Sequence, residues 1–211
     1  MSAAGKQGGT CAARIVRTAG YWIVSLTWGS IMTLLGAVIA LALLLTGHRP
    51  GRLGPNVYFE VGCGWGGMEY GAFFFVERNA ARETILHEAG HGIQNLLLGP
   101  LMPFVVCIPS ALRYWMRRCS TFRGKKIFSG VLFAFAAAVG AALCGAAVGI
   151  SGSGAFGFLL GAGIFFLLYG AALAAWMFGA ELPKYREGSY VPYDAIWFEG
   201  SATRLGVKYY R

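Results

Sequence analysis

The chain has 211 residues, of which 56% are hydrophobic and only 13% are charged. A soluble domain carries about 25% charged residues, so this composition excludes an ordinary soluble protein and predicts a membrane protein in contact with lipid. The net charge of +9 does not indicate a nucleic-acid partner, because the lysines and arginines lie at the ends of apolar segments, where they anchor membrane helices.

The N-terminal part contains the first predicted membrane segment. We expect residues 1–20 to form a flexible polar tail. Residues 21–46 carry no charge and exceed the ~20 residues that a helix needs to cross a bilayer, so they predict a transmembrane anchor. Because no small-residue cleavage site follows, we interpret this segment as a retained anchor and not as a signal peptide.

Residues 47–126 form the predicted metal-site region, which opens with turn-forming residues. Within it, residues 56–61 and 68–76 are rich in β-branched and aromatic side chains, and a glycine-rich loop separates them. This arrangement predicts a small β-hairpin. A helix should begin near Asn79 and end at Gly99, where a proline follows.

Two further uncharged stretches, 127–150 and 155–179, flank a Ser-Gly-Ser-Gly turn, so they predict a transmembrane hairpin inserted at 127–179. It holds two G-x-x-x-G pairs, which favour close packing of helix backbones in lipid: Gly145 with Gly149, and Gly157 with Gly161. The C-terminal segment 180–211 is polar, with a predicted short helix near 194–205. The fold class expected is a mainly α membrane protein with about three transmembrane helices, a zincin-like helix and a small β-hairpin.

The strongest chemical signal is the H-E-x-x-H motif at His87, Glu88 and His91. On a helix the two histidines lie one turn apart on the same face, so both imidazoles can reach one Zn²⁺. Glu88 is rotated off that face, so we expect it to act as the general base that takes a proton from water. The alternative is a membrane helix whose two histidines pack or hydrogen-bond with their neighbours.

A catalytic zinc site needs a third protein ligand. Glu199 is the leading candidate, because it lies among large apolar residues, where an unpaired carboxylate would be unfavourable. A salt bridge to Arg204 is the alternative explanation for Glu199, and Asp194 is the second candidate ligand. We expect Glu60 and Glu69 to occupy exposed positions on the predicted strands.

Four segments resemble an uncharacterised family of small bacterial membrane proteins: YFEVG-x-GWGG-x-E-x-G, HEAGHGIQN, GPLMPFVVCIPSALRYW and YDAIWFEGSATRLG. The resemblance covers about residues 20–120 and 190–210, and it implies zincin-like character. In gluzincin-type metallopeptidases, which this pattern resembles, the third zinc ligand opens an E-x-x-x-D helix. The matching positions here are Glu199 and Thr203, so a threonine stands where that pattern has an aspartate, and a supporting role for Thr203 does not follow from the resemblance.

Gln94 follows His91 by three residues and lies on or near the ligand face of the predicted helix. It could orient water or a substrate carbonyl, or it could be an ordinary polar helix residue. The sequence leaves both interpretations open.

The leading interpretation is a multi-pass cell-membrane zinc metallopeptidase in which His87, His91 and Glu199 bind zinc and Glu88 is catalytic. A peptide or membrane-protein substrate could pair with the edge of the β-hairpin. Two alternatives are a non-catalytic, zinc-stabilised module that binds a partner, and a transporter component, which the charge-free spans argue against. The oligomeric state stays open.

The distribution of positive charge predicts the orientation. Segments 113–126 and 181–211 hold eleven of the eighteen lysines and arginines, so we expect them on the cytoplasmic side. If nothing spans between residues 47 and 112, the motif helix lies on that side as well. If residues 92–112 cross as a kinked segment, the histidines meet Glu199 within the bilayer.

Overall fold

The computed structural model describes residues 11–188 and 190–211, which divide into two compact units. One unit contains residues 11–108 and 193–211, and the other contains residues 109–192. The described chain is mostly helical and includes one small sheet, as the sequence predicts. The first ten residues of the expected flexible tail lie outside the described residues, and its remainder is helical from Cys11 onward.

The first unit begins with two helices, α1 (Cys11–Leu26) and α2 (Ser30–Leu45), in place of the single anchor predicted over 21–46. The two helix axes are bent by 99°. At the bend, the carbonyl of Gly29 accepts a hydrogen bond from Nδ2 of Asn95, at 3.4 Å. A Cβ at Gly29 would collide with that amide group, so a larger residue here would displace the Asn95 side chain.

A four-stranded sheet follows, in the spatial order β1-β2-β4-β3. Its strands are β1 (Pro50–Leu53), β2 (Asn56–Glu60), β3 (Gly67–Tyr70) and β4 (Phe73–Val76). The predicted pairing of 56–61 with 68–76 as one hairpin is wrong, because 68–76 turns back on itself at Gly71, where φ is 69°. The β2 strand instead pairs in parallel with β4 and antiparallel with β1.

Both faces of the sheet are covered by helices. On one face Phe59 and Phe75 pack with Ala40 of α2. On the other face Phe74 and Val76 pack with Ala89, which lies in the helix that carries the H-E-x-x-H motif. The alternation of side chains along β4 therefore divides its phenylalanines between two cores.

The motif helix is α3 (Arg82–Leu98), which begins three residues after the predicted start at Asn79. Asn79 has a φ of 57° and so lies in the left-handed region, outside the helix. The helix ends at Gly99, as predicted, and is followed by a 3₁₀ turn (Gly99–Leu101) and a π turn (Pro103–Cys107). The last helix of this unit is α7 (Trp197–Tyr210), which packs along α3.

The second unit contains most of α4 (Ile108–Arg118), together with α5 (Phe122–Gly149) and α6 (Phe156–Trp176). Helices α5 and α6 pack along each other where Gly140 and Gly163 meet: a Cβ on Gly140 would lie 3.0 Å from the carbonyl oxygen of Gly163. Around all four glycines of the G-x-x-x-G pairs, an added Cβ would meet no described atom within 4 Å. Those pairs therefore do not form the contact between the two helices.

Two segments of the described chain, Phe122–Gly149 and Phe156–Tyr185, are long and apolar enough to cross a membrane. Two bent helix pairs, α1 with α2 and α3 with α4, pass the same criteria only when each is counted as one span. The described residues therefore contain two to four candidate membrane spans, and the chain has the character of a membrane protein.

Candidate metal centre

The structure brings His87 and His91 of α3 together with Glu199 in the first turn of α7. One potential metal-ligand atom from each residue lies within 4.8 Å of the other two. The Oε2 atom of Glu199 is 3.1 Å from Nε2 of His87 and 3.2 Å from Nε2 of His91, and the two Nε2 atoms are 3.2 Å apart. Glu199, which follows His91 by 108 residues in the sequence, thus converges with both histidines on one buried point.

Two glycines allow the two helices to approach closely enough for this convergence. A Cβ on Gly90 of α3 would collide with the carbonyl of Ala202, and a Cβ on Gly206 of α7 would collide with the carbonyl of Leu86. Since backbone atoms cannot rotate away as a flexible side chain can, both positions require glycine. The side chain of Glu199 is thereby held, fully buried, against the histidines.

A hydrogen bond to the second ring nitrogen orients each imidazole. The Nδ1 atom of His91 lies 2.7 Å from Oε1 of Gln94, and Nε2 of Gln94 donates to the carbonyl of Phe198 and to Oγ of Ser201, both at 2.7 Å. The Nδ1 atom of His87 lies 2.9 Å from Oγ1 of Thr203. Gln94 therefore supports a histidine and links α3 to α7, a role that neither interpretation from sequence described.

These partners decide which nitrogen carries the proton. An amide oxygen can only accept, so Nδ1–H of His91 donates to Gln94. Oγ1 of Thr203 donates to the carbonyl of Glu199 at 3.3 Å, which leaves it to accept from Nδ1–H of His87. Both Nε2 lone pairs then point towards the Glu199 carboxylate.

Such an arrangement places three acceptor atoms next to one another in a buried site. Acceptors at 3.1–3.2 Å repel unless a cation or a proton lies between them. A single metal ion would satisfy all three at once, and two imidazoles supported through their Nδ1 atoms are typical of metal-binding histidines. The residues present therefore fit a metal ion, and the buried group of His87, His91 and Glu199 could hold one.

Glu88 is buried but does not belong to this group of ligand atoms. Its carboxylate lies against the strand β3: a Cβ on Gly67 would be 2.6 Å from Oε1 of Glu88. A side chain at position 67 would therefore displace the carboxylate. Glu88 therefore lies next to His87 in sequence and outside the cluster of candidate ligands.

The other candidates from sequence lie elsewhere. Asp194 is exposed on a 3₁₀ turn, and Glu60 is exposed at the end of β2. His48 is bonded through Nδ1 to Oγ1 of Thr46, at 3.1 Å. These three residues are not part of the candidate metal group among the described residues.

The exposure predicted for Glu69 from the sequence is wrong. We expected it to be exposed, but it is only 6% exposed, on the face of β3 that packs towards α3. Burial, and then the neighbouring Glu88 carboxylate, raise the pKa of Glu69 well above its usual value. A correct strand register would have revealed this position, since Glu69 lies opposite the buried Phe74.

No protein-family model, no curated protein and no solved structure matches the chain. The similarity of His87, Glu88, His91 and Glu199 to a gluzincin pattern stays a prediction from motif residues. In the structure, the three converging ligand atoms and the hydrogen bonds that orient the two imidazoles indicate a metal site.

Proposed function

We propose that the protein is a membrane-bound zinc metallopeptidase. The observation that carries this proposal is the convergence of two histidine Nε2 atoms and one buried carboxylate, with a second glutamate, Glu88, next to them. Two imidazoles and one carboxylate are the protein ligands of a large class of catalytic zinc sites, in which the fourth position stays open.

The chemistry follows from the roles that these side chains can take. Bound zinc would polarise a substrate carbonyl and make a water molecule more acidic. Glu88 would take a proton from a water as its oxygen bonds to the carbonyl carbon, and would give that proton to the amine as the C–N bond breaks. This role requires a carboxylate close to the site and outside the ligand set. Thr203 and Gln94 keep the imidazoles oriented through their Nδ1 atoms.

The sheet supports a peptide as the substrate class. Strand β3 lies at an edge, because the order of strands is β1-β2-β4-β3. An extended peptide can add to such an edge through main-chain hydrogen bonds. Gly67 of β3 lies against the Glu88 carboxylate, so a peptide bound along β3 would pass near the proposed general base.

The membrane arrangement belongs to the same proposal. Helices α5 and α6 would form two spans, and the bent pair of α1 and α2 would form a broken third one. The number of membrane passes is then about three, as the sequence predicts. The protein would be a multi-pass protein of the cell membrane. The substrate could then be a peptide segment of another membrane protein.

A structural zinc site is the second candidate, and the burial of the cluster favours it. Structural sites are closed and have no open ligand position. Glu199 is fully buried and the side chain of His87 is only 15% exposed. In this case the protein would bind a partner, and Glu88 would have no chemical role.

Two variants separate the candidates. Glu88→Gln should keep the bound zinc and lose hydrolysis of a peptide library by about 10²–10⁴-fold, because the proton acceptor is gone. His91→Ala should lose the metal itself, since two ligands hold zinc poorly. The control is Glu60→Gln, at an exposed glutamate of β2.

The measurements are elemental analysis of the detergent-purified proteins and peptide hydrolysis, together with accumulation of uncleaved membrane proteins in cells. A Glu88→Gln variant that behaves as wild type in all assays, while His91→Ala fails, would favour the structural site and end the peptidase proposal.

A further inference from the structure

Glu69 is a buried acid for which the proposed chemistry has no role. It lies on β3, and both of its carboxylate oxygens are buried without a hydrogen-bond partner in the part of the chain that the structure describes. The backbone N–H of Gly71 lowers the pKa of Glu69, but it does not reach hydrogen-bond geometry with either oxygen. An ionised carboxylate in such a place would lack both water and a partner.

Four titratable side chains interact electrostatically with Glu69. They are Glu88 of α3, Tyr21 of α1, Tyr70 of β3 itself and Cys107 of the π turn that precedes α4. Each of these side chains is neutral when protonated and negative when deprotonated, so none of them supplies a positive charge. No lysine or arginine is among the groups that shift the pKa of Glu69 within the described chain.

The geometry of the strand makes Glu69 a neighbour of Glu88. Gly67 and Glu69 are two residues apart in β3, so they face the same side of the sheet, at a spacing of about 6.6–6.8 Å. The Cβ position of Gly67 is 2.6 Å from Oε1 of Glu88, which brings this carboxylate onto that face. The Glu69 side chain, buried on the same face, is long enough to extend towards it.

We propose that Glu69 is a neutral carboxylic acid whose O–H faces the Glu88 carboxylate and holds it in position. Two buried carboxylates side by side repel each other, and one shared proton removes that repulsion. Glu69 is then a positioning residue, because it acts on substrate only through Glu88. The role of Glu88 as a base comes from the proposed function, whereas the protonation of Glu69 does not depend on it.

Infrared spectroscopy of the detergent-purified protein tests the protonation directly. An un-ionised carboxyl group has a C=O stretching band apart from those of carboxylates and of the backbone. We expect such a band in the wild type at neutral pH, its loss in Glu69→Gln, and its retention in Glu88→Gln and in the exposed control Glu60→Gln. Absence of the band from the wild type, or its loss in Glu88→Gln but not in Glu69→Gln, would overturn the proposal.

A second pair of variants tests the positioning role. Glu69→Met removes the donor and should lower peptide hydrolysis by about 10- to 100-fold with unchanged zinc content, a typical effect of losing a supporting hydrogen bond. Glu69→Gln retains a donor N–H and should restore most of that loss. Equal hydrolysis by the methionine variant and the wild type would refute positioning.

The two proposals fail in different ways. If the wild type hydrolyses no peptide, the peptidase function is lost, and the infrared band still decides whether Glu69 carries the proton. If hydrolysis is present and the band is absent, the peptidase function stands and the neutral acid is refuted.

Discussion

The hydroxyl oxygen of Thr203 lies 2.9 Å from Nδ1 of His87, one helical turn beyond Glu199, whose carboxylate faces the other nitrogen of the same ring. In the E-x-x-x-D pattern of gluzincin-type metallopeptidases, which this segment resembles, an aspartate stands at the position of Thr203. A neutral hydroxyl accepts the N–H of the imidazole without adding a negative charge. The supporting role left open by the sequence is therefore taken by a different chemical group.

Replacement of Thr203 should weaken metal binding. Thr203→Val has nearly the same shape but no acceptor for Nδ1–H of His87, so we expect zinc affinity to fall by about 10- to 100-fold. Thr203→Ser keeps the hydroxyl and serves as the matched control. Competition with a chromogenic chelator measures both, and equal affinities for the valine and serine variants would contradict the assigned role.

Gln94 should matter for stability as well as for the metal. Gln94→Met removes the acceptor for His91 and leaves the carbonyl of Phe198 without this donor. Loss of a buried hydrogen-bond partner typically costs about 1–3 kcal/mol. Thermal unfolding of the metal-free protein should show a lower Tm, and zinc titration should show weaker binding. An unchanged Tm would indicate that the link from α3 to α7 contributes little.

Gly90 should be intolerant of even a small side chain. In Gly90→Ala the new Cβ meets the carbonyl of Ala202, which pushes α7 and its Glu199 away from the histidines. We expect a lower Tm together with loss of bound metal. In the control Gly145→Ala, a Cβ meets no described atom within 4 Å, so this helix position should gain up to about 1 kcal/mol from alanine. Metal retained by Gly90→Ala would contradict the packing argument.

The raised pKa of Glu69 predicts a pH dependence of stability. Its folded-state pKa lies above the unfolded value, so the folded protein binds more protons once the unfolded glutamate begins to ionise. The free energy of unfolding should then fall as pH rises from about 4.3 towards the raised pKa, by at most about 1.4 kcal/mol per pH unit for one proton. Glu69→Gln lacks this component, so its stability relative to wild type should increase with pH over that interval. Parallel curves for the two proteins in detergent would disprove it.

The two ends of the α5–α6 hairpin should lie on one side of the membrane. Lys126 is in the first turns of α5 and Lys184 follows α6, and the positive charge around them predicts the cytoplasmic side. Single cysteines at these positions, in a background without the native cysteines, should react with an impermeant reagent only after the cells are permeabilised. Labelling of either position in intact cells would reverse the assignment.

Part of the fold and of the site could be predicted because the necessary information is local. Three features depend only on residues close in sequence. They are the end of α3 at Gly99, the apolar hairpin of α5 and α6, and the position of His87 one turn from His91. The strand pairing could not be predicted in this way. A turn at Gly71 changes the partner of every residue in 68–76, and with it the face on which Glu69 is buried.

The sequence by itself determined that the chain is mostly helical with segments apolar enough to span a membrane, and that His87, Glu88 and His91 share one helical turn. Both follow because hydropathy and the 3.6-residue period act between near neighbours. Only the tertiary structure decided that Glu199 meets those histidines, that Thr203 and Gln94 orient them, and that the first apolar segment is bent. The physical reason is that these contacts join residues far apart in the chain. They form only where glycines such as Gly90 and Gly206 let two helix backbones pack closely, and no local pattern specifies which backbones meet.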